Sequence, residues 1–200
     1  MRMETDGLTR ASLEELATGE ANIKGSLLVG AVKLLRARRA EATELLKPEL
    51  QHYLSERILV SSWYPEADGM ELFRAFVQLV GGGDEIWRRM GHVTAADHAH
   101  STYHHLIEEQ DIDRLLQRGH VLFRAMNDQG TLRTRRLAER TFELELEAFP
   151  VLCTEWIKLL TAYFDGLVLA AGGETLRCDL LEVDYSGKRA KWLLEYAVKE

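Results

Sequence analysis

Apolar and polar positions alternate strictly along Arg140–Pro150, in the stretch "RTFELELEAFP". Phe142, Leu144 and Leu146 fall on one side of an extended chain, and three glutamates fall on the other side. A period of two residues indicates a strand with one buried face. Strand-like composition also marks "TLRTRRLAE" just before it, and "TLRCDLLEVD" and "KRAKWLLEYAVK" near the C-terminus, which are joined by the hairpin turn "YSG". The sequence therefore predicts four strands arranged as two hairpins.

Ahead of these strands the apolar pattern is helical. Two long stretches, "EIWRRMGHVTAADHAHSTYHHLIEE" and "DIDRLLQRGHVLFRAMND", each predict a helix, with Gly91 as a candidate interruption of the first. The stretch "VLCTEWIKLLTAYFDGLVLA" predicts another helix between the hairpins. Pro48 is expected to break an earlier helix. The predicted fold class is α+β: a helical N-terminal half followed by a β-β-α-β-β antiparallel sheet with helices mainly on one side.

Length and charge limit the classes of protein that remain. The 200 residues suit one compact domain, and we expect a partly flexible N-terminal segment over 1–20 and a single α+β domain over 21–200. The net charge of −7 argues against general binding to nucleic acid or anionic lipid. No apolar run approaches the roughly 20 residues of a membrane span. With no apolar signal region and two widely separated cysteines, the sequence predicts a cytoplasmic protein.

A cluster of histidines is the most conspicuous candidate for chemistry. On a helical wheel, His100 falls on the apolar face with Tyr103, whereas His98 falls on the opposite side. We therefore expect His98 to be solvated and His100 to be an interior histidine, with the alternative that His100 lines an internal cavity. No second set of ligands is present elsewhere, so no metal site is predicted. The cluster comprises His92, His98, His100, His104 and His105.

Catalytic motifs have no counterpart in this chain. It contains no Gly-x-Ser-x-Gly elbow, and neither Cys153 nor Cys178 is expected in an electropositive setting, since Arg177 beside Cys178 is balanced by Asp179. The glycines of "VGGGDEIW" are not followed by the Lys-Ser/Thr of a phosphate-binding loop. The sequence predicts that the protein is not an enzyme.

Four segments carry a resemblance to known families: "IKGSLL", "SSWYPEADGMELFRAF", "LLQRGHVLFRAMNDQGTL" and "FPVLCTEWIKLLTAYFDGLVLAAGG". With the order of elements, they resemble the haem-NO-binding domain, the four-vinyl-reductase domain and the Bet-type subunits of the TRAPP tethering complex, which share one ligand-binding fold. The chain is most similar to an uncharacterised bacterial family of that fold, in which Trp-Tyr-Pro precedes a helix, as Trp63-Tyr64-Pro65 does here.

The resemblance has a specific implication for haem. Haem-NO-binding relatives carry Tyr-x-Ser-x-Arg after the strand that corresponds to "RTFELELEAFP", where it holds the haem propionates. This chain has Glu145, Ala148 and Phe149 there, and carboxylates would repel propionates. His120 lies roughly where those relatives place the axial histidine, at the edge of an apolar arc that includes Phe123. We predict that the chain binds no cofactor, with haem held by His120 as an alternative.

The function predicted from these observations is a noncatalytic sensory or protein-interaction module in bacterial cytoplasmic signalling. A first alternative is a sensor of a small apolar molecule or lipid with an internal pocket. A protein partner or a homodimer is also expected, because "GSLLVGAVKLL" is apolar around most of its circumference. The residues expected to border a pocket are Trp63, Tyr64, His100, Tyr103, His120 and Phe123.

Overall fold

The computed structural model describes residues 21–100, 103–107 and 111–198. The predicted flexible segment 1–20 lies outside the described residues. The helices are α1 (Gly25–Ala37), α2 (Arg39–Leu45), α3 (Glu66–Leu79), α4 (Asp84–His100), α5 (Ile112–Gln117), α6 (Gly119–Met126) and α7 (Thr154–Ala170), with 3₁₀ helices at Pro48–Leu54 and His104–Leu106. The strands are β1 (Asn22–Lys24), β2 (Trp63–Pro65), β3 (Thr131–Ala138), β4 (Thr141–Glu147), β5 (Gly173–Asp184) and β6 (Arg189–Val198).

The four C-terminal strands form one antiparallel sheet in the order β3-β4-β6-β5, which confirms the predicted α+β arrangement. Phe142, Leu144 and Leu146 are buried, as the alternation along β4 predicted. Their face of the sheet packs against α7, where the indole N–H of Trp192 on β6 donates to the hydroxyl of Thr161 at 2.8 Å. The core of the C-terminal half therefore lies between one face of the sheet and α7.

The opposite face of β4 is acidic but only partly exposed. Its glutamates are half-buried, and each lies beside a cation from a neighbouring strand. The cations come from β3 on one side and β6 on the other, so antiparallel pairing brings opposite charges together across the strands. The pairs are Arg133–Glu147 at 3.0 Å, Arg135–Glu143 at 2.8 Å and Lys191–Glu145 at 3.5 Å.

Two predicted helices are shorter than expected, although α4 runs through Gly91 without interruption. The helix that holds most of the histidines ends at His100, and a separate 3₁₀ turn covers His104–Leu106. The helix that holds His120 is divided at Arg118, whose N–H donates to carbonyls of the preceding turn just before Gly119. A glycine inside a helix lowers its stability by about 1 kcal/mol relative to alanine, so interrupting the helix next to Gly119 costs little.

α4 and α7 approach each other closely because small residues face each other at their crossing. A Cβ added to Gly91 would lie 2.8 Å from the Cβ of Ala162. A Cβ added to Gly166 would lie 2.8 Å from the Cβ of Ala95. Any larger side chain at either glycine would force the helices apart, so this contact fixes α4 against α7.

α1 and α3 are joined by the short β1–β2 ribbon that precedes both helices. Gly69 on α3 packs against the side chains of Ile23 and Leu28. The predicted break at Pro48 is confirmed, because α2 ends at Leu45 and a 3₁₀ helix begins at the proline. Within the described residues, no helix combines the length and the apolar character needed to cross a membrane.

Candidate functional site

A cleft of about 470 Å³ lies between α1, α3 and α4, with α7 at its floor. This volume lies within the range typical of small-molecule sites. The cleft explains why α1 is apolar on so much of its surface: Leu28 and Leu35 are buried in the core, while Leu34 turns to the cleft and is 49% exposed. Most of the lining is apolar and includes Leu34, Phe73, Phe76, Val80, Ile86 and Val93.

His98 is a buried polar residue in the lining of this cleft. Its side chain is 2% exposed, and its Nδ1 lies 2.9 Å from the hydroxyl of Tyr163 on α7. Its Nε2 is buried and has no hydrogen-bond partner. Burial lowers the pKa of His98 to about 4, so the imidazole is neutral near pH 7.

Trp156 on α7 lines the cleft from below. It is 2% exposed, its ring lies edge-on to Phe73 with centroids 6.3 Å apart, and its Nε1 is buried without a partner. An indole nitrogen is a donor only. The cleft therefore has an apolar lining that includes two side chains, each with an unpaired ring nitrogen.

A second, much smaller space lies behind Trp156. This inner cavity of about 30 Å³ lies among α5, α6, α7 and the first hairpin, and Phe123 and Leu144 line it. A space of this size admits only a few water molecules. A larger ligand does not fit in it without movement of the surrounding side chains.

The predicted positions of two histidines are wrong. His98, expected in solvent, is buried, and His100, expected inside, is exposed with its Nδ1 2.7 Å from the carbonyl of Ala96. The wheel assumed that α4 continued through Tyr103, but the helix ends at His100. The buried face of α4 consists of Trp87, Gly91, Ala95 and His98.

The other residues expected at a pocket are dispersed. Tyr103 is buried and lies edge-on to His98, with ring centroids 4.8 Å apart, and Phe123 lines the inner cavity. Trp63 is 43% exposed, with the Lys24 ammonium 3.7 Å above its ring.

Tyr64 has a structural role in the N-terminal half. Its hydroxyl accepts a hydrogen bond from the N–H of Leu59 at 2.9 Å, and Gly25 lies against its ring. Neither Tyr64 nor its neighbour Trp63 lines the cleft or the inner cavity. The Trp-Tyr-Pro stretch thus belongs to the β1–β2 ribbon and the start of α3.

His120 and its surroundings do not fit a haem. The side chain is exposed, and its Nδ1 lies 3.2 Å from the carbonyl of Gln117 in the preceding helix. The space that a macrocycle would need between α6 and α7 is reduced to the inner cavity of about 30 Å³. Among the residues that the structure describes, no group of three or more His, Cys, Asp or Glu side chains is arranged to hold a metal ion.

Glu66, at the first turn of α3, is a buried acid that the sequence did not reveal. It is 1% exposed, and neither carboxyl oxygen has a hydrogen-bond partner. Burial, together with the charge of Asp128, raises the pKa of Glu66 well above its usual range. It lies outside the cleft lining and acts on stability rather than on the site.

The signal that would have identified His98 is its spacing from Trp87, Gly91 and Ala95. These residues recur at intervals of four, four and three, which is one face of a helix. The unpaired nitrogen of Trp156 has no such signal, since a buried tryptophan on an amphipathic helix appears identical in sequence whether or not its N–H is paired.

Solved structures of H-NOX domains have the same fold as this chain. An oxygen-binding H-NOX domain related to soluble guanylate cyclases matches with a TM-score of 0.66 and 14% identity, over 89% of this chain and 98% of that chain. An H-NOX domain of T. tengcongensis carrying a point mutation matches with a TM-score of 0.66 and 15% identity, over 87% and 97% of the two chains. No family model and no curated protein matches the sequence. The likeness shows the fold alone: the chain has the H-NOX fold, the haem-NO-binding arrangement expected from its sequence.

Proposed function

We propose that this protein is a noncatalytic sensor module that binds a small apolar molecule in the cleft between α1, α3 and α4. The observation that carries the proposal is the cleft itself, about 470 Å³ of mostly apolar space between three helices. A concave space of this volume with a mostly apolar lining is typical of small-molecule sites.

The fold gives independent support for a ligand-responsive role. One solved neighbour is an oxygen-binding H-NOX domain, and another was solved to explain H-NOX activation. Both match the fold of this chain, with TM-scores of 0.66. Fold alone does not determine function, so the proposal rests on the cleft of this chain.

Binding of N-phenyl-1-naphthylamine, an uncharged apolar dye that fluoresces in apolar surroundings, tests the proposal. Gly30 lines the cleft, and a Cβ added there meets no atom within 4 Å, so Gly30→Phe fills the cleft without disturbing the core. Ala37→Phe is the matched control, since Ala37 is exposed on the same helix and does not line the cleft. We expect saturable dye binding that weakens at least about tenfold in Gly30→Phe and is unchanged in Ala37→Phe.

Absence of saturable binding, or equal affinity in both variants, would contradict the proposal. Native mass spectrometry of the purified protein provides a complementary measurement, because a retained natural ligand adds mass to the wild type. We expect that added mass to be lost in Gly30→Phe and kept in Ala37→Phe.

The fold comparison favours haem binding as a second candidate, whereas the positions of the side chains do not. His120 would have to turn inward from an exposed position, and the inner cavity would have to expand around a macrocycle. We expect no Soret band after incubation with hemin. A band that disappears in His120→Ala would establish haem binding and displace the apolar-ligand proposal.

A protein partner or a homodimer stays a prediction. The apolar surface of α1 that suggested it is now accounted for by the core and by the cleft. Sedimentation equilibrium at micromolar concentration tests it: a single species near 22.8 kDa would rule out the homodimer. Val29→Glu, on the half-buried side of α1, is expected to dissociate a dimer that uses this helix.

A further inference from the structure

Apolar side chains and one guanidinium meet at the mouth of the cleft. Leu34, Val80 and Val93 line the cleft and are exposed to solvent, so apolar surface continues from the interior to the rim. Arg89 lines the same cleft with an exposed side chain. It lies three residues after Ile86 and four before Val93, spacings that place all three on one face of α4. A positive charge therefore lies beside an opening that is otherwise mostly apolar.

The charge of Arg89 is not matched by any acid among the residues that the structure describes. Within that part of the chain, its guanidinium makes no hydrogen bond and no ion pair. The neighbouring Arg88, by contrast, lies 3.7 Å from the carboxylate of Glu85 and does not line the cleft. Guanidinium groups bind carboxylates through two parallel N–H···O hydrogen bonds. Arg89 can therefore donate to a carboxylate that arrives from solvent.

An acid also lines the cleft, but it is far from Arg89. Asp97 is exposed and lies eight residues further along α4, which is about 12 Å at the usual rise of an α-helix. It already interacts with another group of the chain. Exposed charges separated by more than about 8–10 Å are largely screened at physiological ionic strength. Asp97 therefore does not strongly repel an anion that pairs with Arg89.

The orientation of such a ligand follows from the cost of burying charge. Away from Arg89 the lining is mostly apolar and includes Phe73 and Phe76. A carboxylate placed among these side chains would lose its hydration without gaining a cation. At the mouth the same carboxylate stays in contact with water and pairs with Arg89, while the apolar chain attached to it is buried in the cleft.

We infer that the cleft binds an amphiphile with a single carboxylate, whose head group pairs with Arg89 at the mouth and whose apolar chain lies between α1, α3 and α4. This inference rests on the proposed function and specifies its ligand class. One guanidinium balances the single charge of a carboxylate. A phosphate monoester carries nearly two negative charges, and its second charge would have no cation among the described residues of the lining.

The experiment displaces N-phenyl-1-naphthylamine with two amphiphiles of opposite charge. Laurate and dodecyltrimethylammonium have apolar chains of similar length, and both are used at pH 8 below the concentrations at which they form micelles. The net charge of −7 favours the cation at the protein surface as a whole, so a preference for laurate must arise locally. We expect laurate to displace the dye from wild type at the lower concentration.

Arg89→Gln removes the guanidinium, and Arg88→Gln is the matched control, since it removes the same charge from the adjacent residue outside the lining. We expect Arg89→Gln to weaken laurate binding about threefold to fivefold, the upper range for a partly exposed ion pair. Laurate binding to Arg88→Gln, and dye binding to both variants, should stay within about twofold of wild type. Arg89→Lys keeps the charge and should recover part of the laurate affinity.

Three results would contradict these expectations. Equal effects of Arg89→Gln and Arg88→Gln on laurate binding would overturn the inference, as would stronger displacement of the dye from wild type by the cationic amphiphile. Stronger displacement by dodecyl phosphate than by laurate would assign the mouth of the cleft to phosphates and overturn the carboxylate class. Failure of the dye to bind wild type saturably would instead contradict the proposed function.

Discussion

The hydroxyl of Tyr163 on α7 lies 2.9 Å from Nδ1 of His98 on α4, inside the contact between these two helices. Tyr163→Phe should leave Nδ1 buried without a partner and destabilise the protein by about 1–3 kcal/mol. Tyr185→Phe is the control, since its hydroxyl lies 3.2 Å from that of Thr154 in an exposed position. Urea unfolding measures the free energy of unfolding of both variants. Equal small decreases would mean that the buried hydrogen bond contributes no more to stability than the exposed one.

The stability of the fold should depend on the pH through His98. Its pKa is about 4 in the folded protein and about 6.5 when unfolded, so only the unfolded chain takes up the proton between these values. Stability therefore falls as the pH decreases from about 6.5 to about 4, by up to about 3 kcal/mol from this residue. Above pH 6.5 the residue contributes no pH dependence.

Carboxyl groups titrate in the same range, so the measurement is the difference between wild type and His98→Phe. In thermal unfolding, we expect the melting temperature of the variant to rise relative to that of wild type as the pH is lowered from about 6.5 to about 4. A constant difference across this range would mean that the buried imidazole takes up a proton as readily as it does in the unfolded chain.

Glu66 should make the stability of the fold depend on pH in the opposite direction from His98. Its pKa is raised in the folded protein, so the folded chain holds a proton that the unfolded chain releases as the pH rises above its usual value. Its contribution to stability is full below that value and is lost toward neutral pH. Glu66→Gln removes this titration, so we expect the variant to have the higher melting temperature at pH 7 and to lose that advantage near pH 4.

Glu145→Gln is the control for Glu66→Gln, because Glu145 is half-buried beside Lys191. It makes the same change from carboxylate to amide at a partly exposed position, so an effect seen in both variants would not be specific to Glu66. If the difference in melting temperature between Glu66→Gln and wild type does not change with pH, the buried acid binds its proton in the folded protein as it does in the unfolded chain.

The register of β4 gives a fourth prediction. Leu144 is 1% exposed against α7, whereas Glu145 lies on the other face. Leu144→Ala should cost about 2–5 kcal/mol, as truncation of buried leucines does. Glu145→Ala should cost about 0.5 kcal/mol or less, because it removes one partly exposed ion pair. Comparable losses in denaturant unfolding would be inconsistent with this register.

The sheet was predictable because its signal is local. Alternation along β4 assigns each side chain to a face without reference to the rest of the chain, and Phe142, Leu144 and Leu146 are buried as expected. The charge pairing on the opposite face was not predicted, since it depends on which cations β3 and β6 place beside each glutamate.

The candidate site was predicted less well, for a physical reason. The assignment of His98 and His100 to faces depends on where α4 ends, and the sequence offers neither a proline nor a glycine after His100. The cleft itself depends on the distance between α1, α3 and α4, which is set by tertiary packing. Of the residues expected at a pocket, Phe123 lines the inner cavity, and Tyr103 contacts His98 without lining the cleft.

Gly91 and Gly166 have a mechanical consequence for the cleft. Because they fix α4 against α7, one wall and the floor of the cleft are held together. We expect a change in the width of the opening to come from movement of α1, since α3 is itself tied to α7 by the Arg74–Glu155 ion pair at 3.1 Å. We expect spin labels at Gln78 and Ala96 to keep their separation when N-phenyl-1-naphthylamine binds, while the distance from Lys33 to Ala96 changes. Ligand occupancy would thereby become a displacement of the N-terminal ribbon, where another domain or protein could detect it.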